Sequence, residues 1–147
     1  MSTSVQVRLN YPAIFVAGIA CFMLAPFWYT VFKQPWLAGT GRTSEWLMSA
    51  GAKLAPVQYG TAFAGAVVMA AAIAWVTQVS GEQTAARGIK VGLLMWLGIV
   101  LPTWATEYAF EMRPLSLLAI NAGFWFFGFA IMGAIVGAWK KRAAATA

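Results

Sequence analysis

Histidine is absent from this chain of 147 residues, and cysteine occurs once, as Cys21. A single chain therefore cannot form an internal disulfide or a thiol relay that needs two cysteines. Zinc sites built from cysteine and histidine, and haem held by histidine, are also excluded within one chain. We expect no metal and no cofactor.

Charged residues are scarce as well. They form 10% of the chain and hydrophobic residues 61%, whereas about a quarter of the residues of a soluble domain are charged. A helix that crosses a bilayer needs about 20 apolar residues. Four stretches predict such helices, approximately over residues 12–32, 55–79, 89–110 and 115–139. The prediction is an all-α integral membrane protein, a four-transmembrane-helix bundle forming one domain over residues 1–147.

The connections between these helices differ in length. Residues 33–54 are predicted as an interfacial loop, within which Ser44 can cap a short helix over Glu45-Trp46-Leu47-Met48. Its aromatic and apolar residues suit either a segment lying in the headgroup layer or an ordinary loop with interfacial aromatics. They are Trp36, Trp46, Leu47 and Met48. The last two helices are joined only by Glu111 to Pro114, and so short a link predicts an antiparallel pair.

Basic residues flank the helices on both sides. Four crossings place both termini on one side, and cytoplasmic loops carry an excess of Lys and Arg. The side with the termini holds six of these residues, namely Arg8, Arg87, Lys90, Lys140, Lys141 and Arg142. The other side holds four, namely Lys33, Arg42, Lys53 and Arg113. We predict cytoplasmic termini, and because the basic residues are spread among loops and ends we expect no nucleic-acid partner despite a net charge of +6.

Small residues recur at helical spacing in the apolar stretches. Gly88 and Gly92 open the third predicted helix, and Gly133 and Gly137 close the fourth. Helices in lipid associate through close backbone packing, which such residues permit. We interpret them first as contacts within the chain, with dimerisation as the alternative.

Polar residues gather at one end of the last two helices. Thr103, Glu107 and Glu111 are spaced four residues apart, so they share one helix face, with Thr106 beside it. Asn121 lies about 10 Å inside the fourth helix at 1.5 Å per residue. A buried amide needs hydrogen-bond partners, and the facing helix offers Thr103 and Thr106 as the predicted ones.

Two interpretations of this cluster stay open. In the first, Arg113 neutralises a glutamate and Asn121 bonds across the hairpin, so that the cluster is a structural clasp. In the second, the cluster forms an outward-facing polar pocket that binds a ligand. Aromatic residues would form the walls of that pocket, namely Trp28, Tyr29, Trp104 and Trp125.

The motifs of this chain, in order, resemble those of the bacterial membrane family known as domain of unknown function 1761. They are Asn10 and Ala13, Phe27-Trp28-Tyr29, Trp36, Pro102-Thr103, Thr106, Phe110-Glu111, Arg113-Pro114, Ile120-Asn121-Ala122-Gly123, Trp125, Met132-Gly133-Ala134 and Gly137-Ala138-Trp139. The resemblance covers nearly the whole chain. It implies a single-domain, four-span protein of the bacterial plasma membrane and implies no activity.

The first functional hypothesis is a non-enzymatic protein of the bacterial inner membrane that binds, or also moves, a small molecule or lipid headgroup in the outward-facing pocket. Glu107 and Glu111 would hold charge or protons, Arg113 would orient them or an anionic group, and Asn121 and Thr106 would bond the ligand. The alternative is an interaction subunit that docks a larger membrane partner, with the polar cluster as a helix-hairpin clasp. Expected partners are the lipid bilayer and either a second copy or another membrane protein. An enzyme ranks last because the chain shows no nucleophile–base pair.

Overall fold

Four long helices dominate a computed structural model of the protein, which describes residues 6–141. They are α1 (Tyr11–Val31), α3 (Ser44–Val79), α4 (Ala85–Phe110) and α5 (Leu115–Ala138), and a short helix, α2 (Lys33–Thr40), follows α1. Each of the four is long and apolar enough to cross a membrane. Within the described residues no strand occurs, so the prediction of an all-α four-helix membrane bundle is confirmed. Arg142, one of the six basic residues counted above on the side with the termini, lies outside the described residues.

Polar caps set where the long helices begin. The Asn10 side-chain oxygen accepts from the amide of Ala13 at 3.4 Å, and the Thr84 hydroxyl accepts from the amide of Arg87 at 3.2 Å. Such bonds satisfy amides that have no partner within the first turn of a helix. At the start of α3 the Thr43 hydroxyl accepts from the amide of Trp46 at 3.1 Å. With their caps, α3 and α4 begin at Ser44 and Ala85, earlier than the predicted residues 55 and 89. Hydropathy marks the part of a helix that suits hydrocarbon, whereas hydrogen bonding sets its full length.

The segment 33–54 differs most from its prediction as a loop: the helix expected after Ser44 is present but continues into α3, and a further helix, α2, precedes it. Helix α2 packs on the end of the bundle, where Leu37 is only 4% exposed. A Cβ atom on Gly39 would stand 2.9 Å from the Cβ of Leu117 in α5. Gly41 caps the end of α2, and its φ of 67° lies in the left-handed region that glycine adopts without strain. The glycines at these two positions let α2 lie close to α5 and then turn back towards α3.

Backbone contacts between glycines join α4 to α5. A Cβ atom on Gly88 would collide with the backbone of Gly133, and one on Gly92 would meet the carbonyl of Phe129 at 2.5 Å. A Cβ atom on Gly137 would collide with the carbonyl of Thr84. The prediction that these glycines pack within the chain is confirmed. Without side chains between them, the two helices gain close van der Waals contact along their shared length.

Helix α4 changes its pitch just before a proline. Residues Trp96–Val100 form a wide π-type turn, and the amide of Leu101 donates to the carbonyl of Trp96. Pro102 cannot donate to the carbonyl four residues earlier, and a wide turn is one way in which a helix accommodates such a gap. The wide turn also changes the direction of the side chains that follow it along α4.

Candidate functional site

A polar cavity of about 290 Å³ lies at the end of the bundle where α1, α4 and α5 meet α2. It is partly open to the outside. Every one of those four helices and both of the connections beside them contribute side chains. The lining residues are Tyr29, Trp36, Thr40, Arg42, Trp104, Tyr108, Glu111, Arg113, Leu117 and Asn121.

Asn121 forms the floor of this cavity together with two tyrosines. The hydroxyl of Tyr29 donates to Asn121 Oδ1 at 2.9 Å, and Asn121 Nδ2 donates to the hydroxyl of Tyr108 at 2.7 Å. Asn121 is only 4% exposed, so its amide depends on these two bonds in place of water. The three residues come from α1, α4 and α5, and their bonds tie the three helices together at one depth. We call them the amide triad.

Two tryptophans fix the rotation of α5 around the amide triad. The indole nitrogen of Trp28 donates to the carbonyl of Ile120 at 3.0 Å, and that of Trp96 donates to the carbonyl of Ala122 at 2.9 Å. These carbonyls belong to the residues on either side of Asn121. Buried indole groups need an acceptor, and here the acceptors lie on the helix that carries the amide. These two bonds fix the rotation of α5 so that the side chain of Asn121 faces α1 and α4.

The rim of the cavity is built around Arg113. Its Nε atom donates to Glu111 Oε2 at 2.9 Å, and its Nη1 atom donates to the carbonyl of Thr40 at 3.2 Å. The turn that carries Arg113 has Met112 at φ 52°, and the amide of Arg113 donates to the carbonyl of Tyr108 at 2.9 Å. This is the arrangement of a Schellman motif, in which glycine is the usual left-handed residue. Arg113 thereby joins the end of α4 to the end of α2.

A second guanidinium group stands at the rim. Arg42 lies over the ring of Trp46 at 4.3 Å from the ring centroid, which is the distance of a cation–π contact. Among residues 6–141, Arg42 has no carboxylate within 4.0 Å, whereas Arg113 is paired with Glu111. The cavity lining thus carries two cations and one anion. Its balance of charge favours an anionic group.

The structure brings together some of the site residues predicted from the sequence. Tyr29, Glu111, Arg113 and Asn121 line the cavity, as does Trp104, named as a wall residue. The others lie elsewhere. They are Thr103, Thr106, Glu107, Trp28 and Trp125.

The residues outside the cavity have other surroundings. Glu107 and Thr106 are exposed, and the Thr103 hydroxyl donates to the carbonyl of Ile99 in its own helix at 2.6 Å. Trp125 packs on Phe129 with ring centroids 6.2 Å apart. The prediction that Thr103 and Thr106 hydrogen-bond Asn121 is therefore wrong, because the tyrosines take that place and the threonine face of α4 turns outwards.

Five lining residues were missed in the sequence: Trp36, Thr40, Arg42, Tyr108 and Leu117. Tyr108 carried a usable signal, because it lies one residue beyond Glu107 and its long side chain can reach a partner on the facing helix. Residue spacing placed none of Trp36, Thr40 and Arg42 at the cavity, although Trp36 is an interfacial aromatic residue and one of the family motif residues. They reach the cavity because α2 folds back over the bundle, a path that hydropathy does not encode.

The fold and the site together define a small membrane protein, helical over most of residues 6–141, in which three of the four spans and α2 surround a polar cavity at one end. Residues 12–137 match the family described as "Protein of unknown function (DUF1761)", and the chain belongs to that family. The resemblance seen in the sequence motifs is confirmed. No curated protein and no solved structure matches the chain.

Proposed function

We propose that this protein binds a small anionic organic molecule or an anionic headgroup in the cavity above the amide triad. The observation that carries the proposal is the convergence of Arg42, Arg113 and two phenol groups on one cavity of about 290 Å³. This volume lies just below the usual range of about 300–1,000 Å³ for small-molecule pockets. The ligand's charge would meet the guanidinium groups at the rim, and its apolar part would meet the indole rings.

The hydrogen-bonding pattern of the amide triad supports a ligand that accepts hydrogen bonds. An amide accepts through its oxygen and donates through its nitrogen. Whichever way Asn121 is turned, it accepts from one tyrosine and donates to the other, so one phenol keeps its hydrogen for a further acceptor. Both Tyr29 and Tyr108 line the cavity. A carboxylate or phosphate oxygen placed there would receive that hydrogen and contact the guanidinium groups.

We place the cavity on the outer face of a bacterial inner membrane, with both termini in the cytoplasm. Support comes from the six basic residues on the side of the termini against four on the other. An enzyme that is active only outside the cytoplasm, fused after Ala147, is expected to be inactive. The same enzyme inserted in the connection between Thr40 and Ser44 is expected to be active. The reverse pattern would contradict this orientation.

The proposal is tested by native mass spectrometry of the protein extracted gently from its own membrane. We expect a bound anionic molecule of reproducible mass on the wild-type protein. Arg42→Gln should weaken its retention about tenfold or more, since hydrogen bonds to charged groups contribute about 1.5–3 kcal/mol. Arg42 is exposed, so we expect this variant to keep its fold, which thermal unfolding would check.

Lys33→Gln is the matched control. Lys33 is exposed, begins α2 and does not line the cavity, yet the substitution removes the same charge at the same end of the bundle. Equal retention by Lys33→Gln and the wild type is expected. A bound molecule that survives both Arg42→Gln and Arg113→Gln unchanged would show that the ligand sits elsewhere.

A second candidate function is a non-enzymatic interaction subunit in which the polar cluster is a clasp. The bond between Asn121 and Tyr108 favours it, because it joins the two helices of the α4–α5 hairpin. In that case the extracted protein would carry no small molecule and would be recovered with one dominant membrane-protein partner. The partner would dock away from Gly133, which is buried against α4 within the chain.

A further inference from the structure

A second groove lies at the opposite end of α4 from the amide triad, between the end of α3 and the start of α4. Its volume is about 450 Å³. The lining combines basic, hydroxyl and apolar side chains, namely Ser80, Thr84, Arg87, Lys90, Val91 and Leu94. This groove shares no residue with the cavity at the other end, so what it binds is independent of the function proposed above.

The basic and apolar side chains of the groove follow one another along a single face of α4. Arg87, Lys90, Val91 and Leu94 occupy positions i, i+3, i+4 and i+7, which lie on one side of a helix. The two cations stand in the first turns, and Leu94 lies about 10 Å further along the axis at 1.5 Å per residue. Val91 is buried in the core, whereas Leu94 is 57% exposed. The face thus runs from charge at the helix start to an accessible apolar surface within the span.

Arg87 and Lys90 retain hydrogen-bond donors that are available to a ligand. Arg87 Nη1 donates to the carbonyl of Ser80, which uses one of the five donors of a guanidinium group. Among residues 6–141, neither Arg87 nor Lys90 has a carboxylate within 4.0 Å. Glu82, which stands nearby in the same connection, pairs instead with Lys140 at 3.5 Å. The bond to Ser80 also holds the guanidinium group at the mouth of the groove.

From this geometry we infer that the groove binds one anionic phospholipid, with its phosphate at Arg87 and Lys90 and an acyl chain against Leu94. The complementarity has two parts. Two cations without a carboxylate partner among the described residues match a phosphodiester, and the exposed Leu94 side chain below them matches a chain that continues from it. A soluble phosphate ester would contact the two cations but would leave the apolar surface uncovered.

The inference is tested by titrating the delipidated protein in neutral detergent with phosphatidylglycerol and counting adducts by native mass spectrometry. We expect one phosphatidylglycerol to bind in clear preference to phosphatidylcholine. The double variant Arg87→Gln/Lys90→Gln should bind it about 30-fold more weakly, from the usual attraction of an anionic membrane lipid for each nearby cation. Lys90→Gln alone should weaken binding about fivefold. The single variant keeps the bond from Arg87 to Ser80, so it tests the site even if the double variant unfolds.

Lys33→Gln/Lys53→Gln is the matched control, because it removes two exposed charges from the other end of the bundle. It should bind phosphatidylglycerol as the wild type does. Equal binding by wild type, Lys90→Gln and the double variant would overturn the inference, as would equal binding of phosphatidylcholine. Glycerol 3-phosphate should compete poorly. If glycerol 3-phosphate competes at the same concentration as the lipid, the lipid assignment is overturned and the groove is a site for soluble phosphate esters.

Discussion

Replacing Gly133 with alanine is expected to lower the free energy of unfolding by about 1–3 kcal/mol, the usual cost of forcing extra atoms into a packed interior. The added Cβ would collide with the backbone of Gly88 and come within 3.0 Å of the amide of Ile89. Backbone atoms cannot rotate away as a side chain can, so α4 and α5 must separate. Unfolding in mixed micelles, followed by circular dichroism, measures the change.

Gly60→Ala is the control for this experiment. A Cβ atom on Gly60 has nothing within 4 Å, and the exchange of glycine for alanine in a helix contributes up to about 1 kcal/mol of stability. Both variants gain this helix-forming tendency, so the difference between them isolates the contact at Gly133. Equal effects of the two substitutions would refute the close approach of α4 and α5.

The second large effect is expected at the amide triad. Asn121→Leu keeps a similar volume and removes both bonds to the tyrosines, so we expect a loss of about 1–3 kcal/mol of unfolding free energy. A double-mutant cycle that combines Asn121→Leu with Tyr108→Phe measures how much of this loss comes from the bond between Asn121 and Tyr108. We expect a coupling energy of about 1 kcal/mol, because either substitution alone already breaks the shared bond.

A second double-mutant cycle, which combines Thr103→Val with Asn121→Leu, is the matched control. Thr103 was the partner predicted from the sequence, but its hydroxyl bonds the carbonyl of Ile99 in its own helix. We expect no coupling between Thr103→Val and Asn121→Leu. Coupling to Thr103 together with additivity at Tyr108 would mean that α4 is rotated relative to the arrangement described above.

The contrast between Thr103 and Tyr108 explains why the candidate site was only partly predictable. Asn121 was identified because an amide inside an apolar stretch is costly without partners. Its partner was misassigned because the spacing of residues gives depth along a helix and leaves the rotation of that helix open. Glu107 was predicted in the site for the same reason, since its spacing gave its depth but not the direction of its side chain. In the structure this side chain is exposed on α4.

The fold was more predictable than the site. Each span is a local run of apolar residues long enough for a bilayer, so the four helices could be found without their contacts. The glycine pairs were found in the same way, since only small residues let two helices approach closely. Helix α2, in the connection from α1 to α3, was not predicted. It depends on packing of Gly39 against Leu117, a contact that forms only in the folded chain.

The sequence by itself determined a membrane protein of four helices, its family, and which glycines join the last two helices. Only the tertiary structure decided that Tyr29, Tyr108, Arg42 and Arg113 meet at one cavity. The physical reason is that hydropathy acts on each segment separately. The rotation of α5 depends instead on glycine contacts with α4 and on indole bonds from Trp28 and Trp96, which form only when separate helices meet.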